Sequence, residues 1–185
     1  VDAVSGAQPS IFYGSIAPDT TRFFTRKAVG SRYFRKLATG HIQHWVKTKN
    51  DGLAGDYFCI FGLITDKVAV SEFTDGGALA GTYDLANQIP IYATVEYASI
   101  KDVTGFAGDT TCTCIVGETG DTDRYMTGTP SVFTTVPQVD VGVPSGTKFH
   151  SAAKTVRITL GSTSDFTLVK TNGLGVLTVE IRYRF

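Results

Sequence analysis

Hydrophobic positions along this chain recur mainly at a spacing of two. Leu177, Val179, Ile181, Tyr183 and Phe185 alternate with Thr178, Glu180, Arg182 and Arg184, the signature of a strand with one buried and one polar face. Tyr57-Phe-Cys-Ile-Phe-Gly-Leu-Ile64 is apolar at almost every position, which predicts a strand covered on both faces. The same reading places strands at Ile11–Ile16, His41–Thr48, Ile89–Ser99, Thr110–Val116, Val132–Thr135, Lys154–Leu160 and Phe166–Val169, with the last strand running Val176–Phe185. Only Ser31–Leu37 carries the i, i+3, i+4 spacing of an amphipathic helix. Turn-forming pieces lie between the strands: Asn50-Asp-Gly, Asp75-Gly-Gly, Gly105–Asp109, Gly117–Asp123 and Asn172–Gly175. No internal repeat or linker is visible. The pattern predicts an all-β chain, an antiparallel β-sandwich, most economically an eight-stranded jelly roll, forming one domain over residues 1–185.

Composition fits that expectation. At 185 residues, 42% hydrophobic and 18% charged, the chain can bury a substantial core and is not a disordered tail. No apolar run approaches the roughly 20 residues of a membrane helix, and the start Val-Asp-Ala-Val has neither region of a signal peptide. Of the three cysteines, Cys112 and Cys114 sit two apart on one strand face, poorly placed for a disulfide. Free thiols in a reducing compartment are therefore expected. Asn50, Asn87 and Asn172 all fail the glycosylation pattern.

Charge changes the picture more. The formal net charge is zero, yet Thr21–Asn50 holds eight cations and no acid: Arg22, Arg26, Lys27, Arg32, Arg35, Lys36, Lys47 and Lys49. Aromatic and imidazole rings are interleaved with them, namely Phe23, Phe24, Tyr33, Phe34, His41, His44 and Trp45. Asp51–Asp123 then carries twelve acids against Lys67 and Lys101, a balance of 2 − 12 = −10. Cations without a counter-charge, mixed with rings, suit phosphate neutralisation and contact with unpaired bases. Arg182 and Arg184 add two cations on the polar face of the last strand. A solvated face with snorkelling stems is the plainer reading of the same run.

Other chemistry is thin. His41 and His44 are three apart, so in a strand they point to opposite faces and cannot share one metal ion. Glu118, Asp121 and Asp123 fall in one Gly-containing turn, where carboxylates could hold Ca²⁺ at a subunit interface. The EF-hand pattern is absent, and a solvated acidic loop is the competing reading. No nucleophile elbow, phosphate loop or His-Glu-x-x-His occurs. No resident cofactor and no enzymatic activity are expected.

The terminal Gly-Val-Leu-Thr-Val-Glu-Ile-Arg-Tyr-Arg-Phe resembles the closing strand of the jelly-roll shell domain in coat proteins of small icosahedral RNA viruses, the tombusvirus-, sobemovirus- and nodavirus-like groups. Tyr33-Phe-Arg-Lys-Leu37, His41–Thr48 and Gly55–Asp66 are similar to the second and third strands of that domain. The resemblance covers about a third of the chain. It implies a capsid subunit that assembles with copies of itself into an icosahedral shell, in the host cell interior, and resides in the virion. Single-stranded nucleic acid would be its partner, with no membrane involved. Such coats use an Arg-rich N-terminal arm, so a disordered leader before Val1 would be needed. The same strand pattern also fits a protruding or fibre-type surface domain, or a carbohydrate-binding module.

Overall fold

The computed structural model describes residues 11–14, 29–36, 41–48, 57–142 and 150–185. Among them are eleven strands: β1 (Ile11–Gly14), β2 (Arg32–Lys36), β3 (Ile42–Lys47), β4 (Tyr57–Ala69), β5 (Thr74–Asp75), β6 (Ala80–Ile89), β7 (Thr94–Thr104), β8 (Cys112–Glu118), β9 (Thr135–Gly142), β10 (Lys154–Ser162) and β11 (Val176–Arg184). One short helix, α1, covers Phe166–Asn172. The chain divides into two compact units, Val1–Leu63 with Arg184–Phe185, and Ile64–Tyr183.

In the first unit the strand order is β1-β2-β3-β4, with β4 contributing its beginning. β2 pairs antiparallel with β3, and β3 with β4. β1 lies parallel to β2, an exception to the expected antiparallel sheet. Ser31–Leu37 therefore does not form a helix: Arg32–Lys36 is a strand. Arg32, Arg35 and Lys36 stand at the helical spacing i, i+3, i+4, and pairing with β3 overrides that local signal.

The second unit is a sandwich of two sheets, β4-β11-β7-β9 and β5-β6-β10-β8. Within it β10 runs antiparallel to β6 and β8, and β7 to β9. From β6 onward each successive strand changes sheet: β6 in the second, β7 in the first, β8 in the second, β9 in the first, β10 in the second, β11 in the first. Beyond β8, Ser131 bridges to Thr113 at the edge of the second sheet. This is the double wrap of a jelly roll. Val179 and Ile181 of β11, Val95 and Ile100 of β7, and Val156, Ile158 and Leu160 of β10 fill the core between the sheets.

Several expected boundaries move. The run Ile89–Ser99 straddles a turn at Pro90–Ala93, where Ala93 N–H donates to the Pro90 carbonyl. Proline cannot donate to a ladder, so the strand breaks there. Phe166–Val169 is not a strand. Asp165 caps a helix by accepting from Thr167 N–H at 2.9 Å, and Gly173 (φ 69°) ends it in the left-handed conformation. Phe166 and Val169 are the buried pair of that helix.

All three thiols are free and buried. Burial pushes Cys59 and Cys112 up to about 12 and raises Cys114 as well. A thiol reagent at neutral pH is therefore expected to label the native chain roughly a hundredfold more slowly than the denatured chain. Rapid labelling of Cys59 in the native state would show that β4 is open where the structure has it closed.

Candidate functional site

The cationic segment meets different fates along its length. Arg22, Arg26, Lys27 and Lys49 lie outside the described residues. Arg32 and Lys36 are exposed on β2, separated by Phe34 on the same face. Neither makes an ion pair among the described residues. Arg35 points to the opposite face and donates to Gln43 Oε1 at 3.1 Å. Lys47, expected to face a phosphate, is instead fully buried, on the face that also buries Tyr33, Gln43 and Cys59. Its ammonium is therefore withdrawn from any ligand on the outer surface. Arg182 belongs to the second unit and pairs with Glu96 at 2.7 Å. Arg184 is exposed at the end of β11.

The face carrying Arg32 and Lys36 also carries a row of rings. The strand registers align Tyr13 with Phe34, Phe34 with His44, and His44 with Phe61. Tyr13 and Phe34 stack at 5.5 Å with planes 23° apart. Phe34 and His44 stack at 4.3 Å and 8°, and His44 meets the edge of Phe61 at 5.1 Å. Exposure rises along the row, from 4% at His44 to 76% at Tyr13. Burial, then the Arg32 charge, lowers the His44 pKa, so the ring is neutral at neutral pH. Neither of its nitrogens has a hydrogen-bond partner among the described residues. Burial and Arg35 take His41 down to about 4. Tyr13 and Phe61 escaped the sequence reading because only strand pairing brings them beside Phe34 and His44.

Within one chain the acidic loop does not gather a group of metal ligands among the described residues. Glu118, Asp121 and Asp123 do not converge, and no group of three or more His, Cys, Asp or Glu is placed to hold a metal ion among the described residues. Glu118 turns inward instead. It accepts from the Tyr125 hydroxyl at 3.3 Å and from Lys154 Nζ at 3.2 Å, with Arg124 Nη1 at 3.5 Å. Tyr125 Oη also lies 3.2 Å from His150 Nε2. The hydroxyl has one proton and gives it to the carboxylate, so His150 donates from Nε2. Burial, followed by the Glu118 charge, raises the Tyr125 pKa. Burial, then Arg124, lowers that of His150. Fixed charge neutralisation at Glu118 makes this a structural network rather than an open oxygen cage.

Three further acids of the middle segment pair with cations from the C-terminal third. Arg157 clamps Asp84 through two bonds of 2.7 Å, Arg182 takes Glu96, and Arg124 also reaches Asp121 at 3.5 Å. Those three pairs lie wholly within the second unit, so these acids do not balance the Thr21–Asn50 segment.

No family model matches the sequence, and no curated protein matches it. Among solved structures, a chain of the cyanophage Pam1 capsid asymmetric unit is similar over 62% of this chain and 86% of its own length, at 15% identity and a TM-score of 0.39. A likeness of that size bears on neither fold nor function.

Proposed function

We propose that this chain is a structural, non-catalytic capsid subunit that assembles with its own copies into a closed shell around a genome, within the virion. The observation that carries this reading is the strand order of the second unit, in which successive strands alternate between the two sheets. Jelly rolls of this kind build viral capsid domains, but also lectin domains and cupins, and a fold alone does not assign function. The charge arrangement favours the capsid use. Arg32 and Lys36 stand exposed without a counter-ion among the described residues, while acids of the neighbouring segment are taken by Arg124, Lys154, Arg157 and Arg182. A shell that packages nucleic acid needs such a surplus; a glycan-binding module does not. The finer assignment, to the RNA-virus coats that the closing strand resembles, rests on the sequence alone.

Electron microscopy of the purified protein, with light scattering across salt and pH, tests assembly. Closed particles are expected, and a monomer under all conditions would return the chain to the surface-domain or glycan-module alternatives. The charge argument has its own readout. Arg32→Gln with Lys36→Gln is expected to lessen the dependence of log affinity on log salt for single-stranded nucleic acid by about 1.4, or about 0.7 per lost phosphate contact. An unchanged slope would reduce the pair to a solvated surface.

A further inference from the structure

We propose that the ring row Tyr13–Phe34–His44–Phe61, with Arg32 and Lys36 on either side of Phe34, is a stacking platform at its exposed Tyr13 end for the bases of single-stranded nucleic acid. The inference deepens the reading above by naming where, and by which part of the nucleotide, the genome is held.

Three features of the first unit converge on it. The rings of Tyr13, Phe34 and His44 stack on one another across the paired strands, so the stack ends at Tyr13, whose outward side is where a further planar ring can continue it. The row ends in the open: Tyr13 is 76% and Ile11 62% exposed on the outer strand. Such an exposure of rings and aliphatics on a sheet face leaves room for a partner. The two cations on this face lie two residues before and two after Phe34, which suits phosphates flanking a stacked base.

The chemistry selects the occupant. An apolar peptide would cover the rings but offer nothing to Arg32 and Lys36. A double helix hides its base faces in its own stack, whereas unpaired bases present a π face to any aromatic ring. Because stacking accepts every base, the platform would be tolerant of sequence.

The test uses the full chain below its assembly concentration, checked by light scattering, with two probes of equal length: oligothymidylate and an abasic oligonucleotide with the same phosphates. Fluorescence anisotropy is expected to show roughly tenfold tighter binding of the base-bearing strand. Tyr13→Ala, at a site exposed enough to spare the fold, should abolish most of that difference while leaving abasic binding unchanged. Arg32→Gln should weaken both probes alike. Equal affinity of the unaltered protein for the two probes would overturn the platform, and so would a Tyr13→Ala variant that keeps the full difference. Loss of self-association without any effect on the probes would make this face a contact between copies, which also overturns it. Particle formation is scored separately, so a failed platform leaves the capsid reading standing.

Discussion

Phe166→Ala is expected to destabilise the second unit by about 4 kcal/mol, the cost of deleting a buried aromatic ring and leaving a cavity. Phe166 is fully buried. Its ring lies 6.3 Å from Phe73, which in turn sits 6.2 Å from Phe106 and 5.9 Å from Tyr83. Below the ring is Gly81 of β6, where a methyl group would come within 2.1 Å of Phe166 Cε1. Gly81→Ala should therefore destabilise by overpacking, on the order of 2 kcal/mol. The two changes are not independent. Gly81→Ala combined with Phe166→Leu should cost less than the sum of the single variants, because the smaller side chain vacates the space the methyl needs. Urea denaturation followed by circular dichroism gives all four values. Strict additivity would mean that glycine at 81 serves the strand backbone and not the ring above it.

This glycine also shows why β6 was invisible in the sequence. Ala80–Ile89 is interrupted by Gly81, Asp84 and Asn87, residues that weaken any strand pattern. Only tertiary facts explain them: Phe166 occupies the space above Gly81, and Arg157 on β10 clamps Asp84. β11 was legible because its two faces meet such different surroundings that alternation survives in the sequence, and β4 because nearly every side chain in it is apolar. The helix at Phe166 had local signals, Asp165 before it and Gly173 after it, but its length of seven residues left just two buried positions to set a period. β-branched Thr167, Val169 and Thr171 tilted that reading toward a strand.

The functional residues divide along the same line. A cationic segment can be read directly, since charge needs no partner to be counted. Which cations face outward cannot, because that depends on pairing: β2 exposes Arg32 and Lys36, while β3 buries Lys47. Glu118 was counted with Asp121 and Asp123 as a surface acid because all three share a turn. Its inward rotation depends on Tyr125, Lys154 and His150, the last lying 32 residues away (150 − 118). The ring row likewise joins four strands and leaves no contiguous motif.

Acidification from about pH 7 to about pH 5 is expected to destabilise the protein progressively, before most of its carboxylates titrate. All three histidines have folded pKa values below the ordinary value near 6.5: His41 at about 4, with His44 and His150 also lowered. A lowered histidine pKa means that the unfolded chain binds more protons than the folded one in the interval between the two values. Stability is thus retained above about pH 6.5 and lost as pH falls below it, by up to about 1.4 kcal/mol per pH unit for each histidine. Carboxylates such as Asp84 and Asp109, held below their usual range by Arg157 and by backbone N–H groups respectively, act in the same direction only below about pH 4. At His150 the new proton would meet Arg124 and Lys154, with Glu118 as its sole anion in the network and Tyr125 between them. Glu118→Gln removes that anion. It should cost about 2 kcal/mol at neutral pH, by leaving Lys154 without its carboxylate and Arg124 with Asp121 alone, and should make the acid loss steeper, because Glu118 then no longer offsets a protonated His150. Denaturation midpoints of the two proteins across this pH range decide the matter. A flat profile down to about pH 5 would show that the buried imidazoles accept protons freely, and parallel profiles would show that Glu118 has no influence on His150.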